Sequence, residues 1–168
     1  MAFQNTINRF TTFGIQGDLA NGQVPHYSAL TPRVKAGETI YAGDFVWVED
    51  AGNGEAFASK AGNLSKGKPT GIVQRVLDVP LPTADGATLQ VPAGRKCAVV
   101  VWGDMFIKVS NTASANIGDK IYVDNSGVIT CGATGSSASG IVETDWKIVS
   151  FAGNDVSATG SVVIVSNV

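Results

Sequence analysis

Charge is scarce in this chain. Asp, Glu, Lys and Arg make up 15% of its 168 residues, against about 25% in ordinary soluble domains. The formal net charge is −2, which gives no electrostatic reason to approach nucleic acid or an anionic membrane. Histidine occurs once, at His26. A zinc site therefore lacks its ligand set, and any Ser-His-Asp or Cys-His device would have to rest on that one residue beside Pro25. Cysteine occurs twice, at Cys97 and Cys131, and neither sits in a CxxC. Cys97 lies inside an apolar run and reads as a buried core thiol; a Cys97–Cys131 disulfide stays open. No apolar run approaches the about 20 residues that a membrane span needs. The opening MAFQNTINRF lacks the basic and apolar regions of a secretory leader. The expectation is synthesis in a reducing cytoplasm, and residence there unless something larger carries the protein out.

Ser, Thr, Asn and Gly take the place of the missing charges. Such a surface is either polar and uncharged or covered by partners. The most concentrated apolar stretch is Lys96 to Val109, KCAVVVWGDMFIKV. Val, Ile, Phe and Trp suit a pleated, half-buried surface, and Gly103-Asp104 supplies turn or bulge chemistry in its middle. Two strands, or one strongly bent strand, are expected here.

The sequence repeats itself in outline on either side of that stretch. AGDFVWVED and IGDKIYVDN align without gaps, with Asp44 and Asp119 offset by 75 positions. Gly71-Ile72-Val73 and Gly140-Ile141-Val142 then follow at an offset of 69. Alternation puts Val46 and Val48, with Ile121 and Val123, toward the core. Phe45 and Trp47, with Lys120 and Tyr122, go to the opposite face. Short strands at regular spacing and no long helical period predict an all-β fold: a compact β-barrel or two-sheet sandwich built from two similar β-units. Residues 31–168 are expected to form this domain. Residues 1–30 read as an extended N-terminal arm carrying Phe3, Ile7, Phe10 and Phe13, or as a first edge strand and loop of the same domain.

Most chemical motifs fail on inspection. Gly62 to Pro69, GNLSKGKP, nearly matches a phosphate-binding loop, but Pro69 stands where the hydroxyl belongs and a strand follows instead of a helix. It reads as a flexible, basic surface loop. Asp18, Asp44, Asp104, Asp119 and Asp124 neighbour Gly or Asn and read as turn residues. Asp124 to Gly127 lacks the further ligands of a calcium loop. No catalytic residue, metal or cofactor is expected. The face bearing Phe45, Trp47 and Tyr122 is either covered by a second sheet or the arm, or is a partner surface.

MAFQNTINRF with GIQGD, the AGDFVWV…PTGIVQR unit, the VPAG turn, the VVVWGDMFIKV run and GDKIYVDNSG…SGIV occur in an order that resembles the head decoration, or structural cement, proteins of tailed bacteriophages. The resemblance implies a non-enzymatic, all-β virion protein on the outer capsid surface, made in the host cytoplasm. Its partners would be the major capsid protein and further copies of itself, as dimers or trimers; neither nucleic acid nor membrane is expected. Candidate interface residues are Phe3, Ile7, Phe10, Phe13, Trp47 and Tyr122. A tail-fibre or receptor-binding β-module recognising carbohydrate is the alternative.

Overall fold

Gly103 is where the chain changes sheets. In the computed structural model, which describes residues 14–20, 24–76, 89–110, 115–136, 139–151 and 162–167, Val99–Trp102 and Asp104–Lys108 are separate strands on either side of it. Its φ of 131° is one that L side chains rarely adopt, and an added Cβ would meet Pro25 at 3.4 Å. A glycine is therefore required at the crossing.

The described strands, in chain order, are β1 (His26–Tyr27), β2 (Arg33–Val34), β3 (Ile40–Tyr41), β4 (Phe45–Gly52), β5 (Glu55–Ser59), β6 (Gly71–Val73), β7 (Gln90–Val91), β8 (Val99–Trp102), β9 (Asp104–Lys108), β10 (Lys120–Asp124), β11 (Ile129–Gly132), β12 (Ile141–Phe151) and β13 (Val162–Ser166). They form a six-stranded sheet ordered β1-β8-β6-β4-β5-β2, a five-stranded sheet ordered β11-β10-β12-β13-β9, and a ribbon of β3 and β7. Every pairing is antiparallel except β2 with β5. The sheets do not close into a barrel, so the architecture is the sandwich.

Two cores hold it together. Phe45, Trp47, Ile72 and Val100 of the six-stranded sheet meet Met105, Ile107, Ile121, Val123, Trp146, Ile148, Val163 and Val165 of the five-stranded sheet. Their strand neighbours Val46, Val73 and Val99 point the other way, into a second core closed by Val34, Ile40, Val91 and Cys97. The six-stranded sheet is thus the middle layer, buried on both faces. This explains why Phe45, Val46 and Trp47 are all buried in succession. Alternation assigns a residue to a face; it does not say which face meets water when neither does.

The repeat is real at the turns and misaligned further on. The Tyr41 N–H donates to Asp44 Oδ2, and the Asn116 N–H to Asp119 Oδ2, both at 2.8 Å. Gly43 and Gly118 donate to the carbonyls of Val73 and Ile148, both at 2.8 Å. Phe45 pairs with Ile72, and Lys120 with Lys147, so the offset of 75 persists across the strand pair. The Gly-Ile-Val echo at 69 is therefore corrected. Trp146 to Ile148 replaces Gly71 to Val73, and Val142 lies opposite Val123 farther along β12. The packed faces also differ: Val46 faces the second core, and its counterpart Ile121 faces the inter-sheet core.

Residues 14–30 are tied into both sheets wherever they are described. The Gly17 and Ala20 N–H groups donate to the Phe106 and Asp104 carbonyls at 2.7 and 2.8 Å, and β1 pairs with β8. Leu19 bridges Met105 of β9 antiparallel, β1 is the outermost strand of the six-stranded sheet beside β8, and the Gly17 carbonyl accepts the Arg75 N–H at 2.8 Å.

Candidate interaction surface

Trp47 and Tyr122 do not form an outward aromatic face. Trp47 is 3% exposed and packs between the sheets, where Phe45 meets Trp146 edge-on at 6.3 Å. The loop over residues 61–70 covers it. Trp47 Nε1 donates to the Gly67 carbonyl at 2.9 Å. Thr70 then grips β4 twice, its N–H donating to Val46 O and its Oγ1 accepting from the Val48 N–H, each at 2.9 Å. Asn63 Nδ2 donates to Ser59 Oγ and Ala61 O, and Leu64 packs on the inter-sheet core. The GNLSKGKP near-match, expected as a flexible surface loop, is a bonded cover for an indole ring.

Tyr122 lies on the far face of the five-stranded sheet, because its neighbours Ile121 and Val123 face inward. It is still only 4% exposed. The segment 133–136 folds over it: the Tyr122 hydroxyl lies 2.5 Å from Ala133 O and 2.8 Å from Glu143 Oε2. Gly135 N–H donates to the same Glu143 oxygen at 2.8 Å. That backbone donor, then the tyrosine, holds the Glu143 carboxyl below its ordinary range. Phe3, Ile7, Phe10 and Phe13 lie outside the described residues.

The other chemistry-bearing residues are absorbed by the fold. His26 packs at a tilt against Trp102, with ring centroids 4.8 Å apart and planes at 44°. Cys97 and Cys131 are free thiols in different cores, and burial pushes each up to about 11. Asp124 Oδ1 accepts the Ser126 and Val128 N–H groups at 2.8 Å, as a hairpin turn requires. Asp18 does more than its turn suggests: it forms a two-point ion pair with Arg75 at 2.6 and 2.8 Å. Among the described residues no group of three or more His, Cys, Asp or Glu could hold a metal ion.

The described surface carries exposed apolar side chains in its N-terminal part. Ile15, Val24, Tyr27 and Leu30 are four of its seven exposed large hydrophobics, Tyr27 in β1 and the other three in the irregular stretches before and after it. Val24 reaches 76% exposure. Sequence patterning missed three of these four. Val24, Tyr27 and Leu30 stand among Pro, Ser and Gln with no period that distinguishes a rim from a loop.

Comparison with known proteins agrees with the architecture. No curated protein matches the chain. Among solved structures, a chain described under "The capsid of Myoviridae Phage XM1" superposes with a TM-score of 0.57 at 18% identity, covering 99% of this chain and 98% of that one. At that identity the likeness is one of fold. The model of a family described as structural cement protein (E217 gp24/Pam3 gp6) matches residues 3–167. With nearly the whole length matched and the all-β sandwich in place, the chain belongs to the phage structural cement protein family.

Proposed function

We propose that this protein binds the outside of an assembled phage head and stabilises the major capsid protein lattice by bridging neighbouring subunits. The observation that carries the reading is the family match over residues 3–167. The physical character of the chain supports it. Cementing needs a stiff body and adhesive contacts, and no reacting group. A middle sheet buried on both faces supplies the stiffness, and the low charge leaves a surface suited to close contact. The N-terminal residues Phe3, Ile7, Phe10 and Phe13 are the proposed grip on the lattice, since an extended apolar segment covers much surface with few residues. Several modest contacts made by one bridging particle add up to strong retention. Synthesis in the host cytoplasm, followed by addition to the head, fits a chain with two free thiols.

The carbohydrate-binding reading loses its footing. It relied on outward aromatics beside Asn and Asp, and Trp47 and Tyr122 are buried.

The test is reconstitution. Purified protein is mixed with expanded heads that lack it, separated by gradient sedimentation, and imaged by cryo-electron microscopy. Saturable co-sedimentation and density on the outer surface, across subunit boundaries, are expected, with greater survival of osmotic shock. Deleting residues 1–13 should abolish retention while leaving the fold intact. No association with mature heads would overturn the function, and undiminished binding by the deletion would overturn the grip.

A further inference from the structure

We propose that Arg33, Lys35, Arg95 and Lys96 form a cationic docking surface for a carboxylate-bearing surface of another protein.

Backbone pairing brings these four side chains together. Arg33 and Lys96 face each other across an antiparallel bridge. The Val34 N–H donates to Arg95 O at 2.8 Å and the Cys97 N–H to Pro32 O at 2.9 Å. Those two bonds flank the bridge, so Arg33 and Lys96 form a pair without mutual hydrogen bonds, the position where opposed side chains come closest. Both lie on one face of the ladder. Val34 between Arg33 and Lys35 is buried in the second core, so Lys35 projects on the same side as Arg33. All four cations are exposed.

Like charges directly opposite each other destabilise a ladder. The chain has only 12 Lys and Arg in 168 residues, and setting two of them against each other costs the free fold. The available counter-charges are committed elsewhere: Lys60 takes Asp44, Lys66 takes Glu49, Lys68 takes Asp145 and Arg75 takes Asp18. Among the described residues, none of the four cations is in an ion pair. Glu49 is held low first by Lys66, with a smaller share from Lys35. Arg33 Nη1 donates to the Gly94 carbonyl at 3.2 Å, which steers the guanidinium but supplies no opposite charge.

The surroundings select the occupant. The planar fork of arginine and the ammonium of lysine both suit a carboxylate. A nucleic acid is the poorer fit. β5 pairs with β2, and the hairpin of β4 and β5 carries exposed Asp50 and Glu55. The net charge of −2 adds no field that would draw a polyphosphate. A protein surface carries both signs, so it can match the cations and the neighbouring carboxylates together.

This surface deepens the cement reading, and its biological use rests on that reading: the carboxylates belong to the outside of the head. It gives the body of the domain a contact of its own, separate from residues 1–13.

The test has one arm without heads and one with them. Fluorescence anisotropy of a labelled deca-glutamate peptide at about 50 mM salt compares the wild type, Arg33→Gln/Lys96→Gln, and Lys108→Gln, an exposed control on β9. Wild type and control should bind alike, and the double variant about 10-fold more weakly. On heads that lack the protein, the double variant should also lose about 10-fold in affinity and show a flatter salt dependence. Lys96→Gln alone keeps the Arg33 bond to Gly94 and relieves the like-charge contact, so it should raise the urea midpoint of the free protein. Equal peptide binding by the wild type and the double variant would overturn the proposal, as would duplex DNA bound more tightly than the peptide. A lowered midpoint for Lys96→Gln would make that residue a structural one and overturn it too. Heads that bind wild type and double variant equally would remove this surface and leave the cement reading standing, whereas heads that bind neither would remove that reading and, with it, the use proposed for the surface.

Discussion

Lys60 lies across Gly127 and reaches Asp44. A Cβ at Gly127 would come within 2.4 Å of Lys60 Cε, while the Lys60 ammonium sits 2.9 Å from Asp44 Oδ2 and 5.8 Å from the centre of the Tyr41 ring. Gly127 belongs to the hairpin turn between β10 and β11; Asp44 and Tyr41 belong to the first unit. The lysine stem therefore crosses from one unit to the other, and the Gly62 N–H follows the same route to Asn125 O at 3.0 Å.

This pair is mostly buried, with side chains 20% and 11% exposed. Burial raises the Asp44 carboxyl above its ordinary range, and Lys60 only partly offsets that. Removing the cation should then cost more than removing both charges, because a lone buried carboxylate keeps its desolvation penalty. Lys60→Met alone is expected to destabilise more than Lys60→Met with Asp44→Asn, with a coupling of about 1–3 kcal/mol in a double-mutant cycle of urea unfolding. Additive effects would show that the pair is screened.

Val99 and Val100 are adjacent on β8 and point into different cores. If both faces of the middle sheet are sealed, Val99→Ala and Val100→Ala should each lower unfolding stability by about 1.5–3 kcal/mol. In a sheet with one wet face, one of the two would be nearly silent. Chemical denaturation of the two variants decides it. A charge at Val100 or Ile107 should abolish folding before it affects any partner.

The same adjacency explains what was legible in the sequence. Strand type, the break at Gly103 and the paired Gly-Asp turns follow from local chemistry: β-branched runs, a positive φ, and a carboxylate caging the N–H three residues back. These are interactions within a few positions, and they leave a mark on the residues themselves. Which face each strand buries is settled by a third layer, β3 with β7, whose two-residue strands carry almost no pattern. The aromatic face at Trp47 and Tyr122 failed because each ring is covered by something outside its own strand: the facing sheet and the 61–70 loop over Trp47, and the segment 133–136 over Tyr122. The exposure of Val24, Tyr27 and Leu30 was hidden because they stand in and around a two-residue strand, too short for a period to assign a face.

The loop over Trp47 gives a local test. Trp47→Phe keeps an aromatic ring between the sheets and removes the indole donor to Gly67 O. The expected loss is about 1–2 kcal/mol, with hydrogen-exchange protection falling in residues 61–70 before it falls in β4. Unchanged exchange in that loop would mean that Thr70 and Asn63 hold it unaided.

Glu143 should govern part of the acid response. In the folded protein its carboxyl is held below the ordinary 4.5, first by the Gly135 N–H and then by Tyr122. Between the folded and unfolded values the unfolded chain binds more protons, so stability falls as pH drops through that interval. Asp44 works in the opposite sense. Its raised carboxyl favours the folded state below the ordinary 3.8, and that contribution fades as pH rises through the raised folded value. Glu143→Gln should therefore be less stable than the wild type near neutrality, and the gap should close as pH falls below 4.5. Asp44→Asn should flatten the Asp44 component without touching the Glu143 one. Urea unfolding of both variants across the acid range checks the two signs. A Glu143→Gln gap that stays constant with pH would show that the carboxylate contributes through shape alone, and that the segment 133–136 is held over Tyr122 by the Ala133 contact.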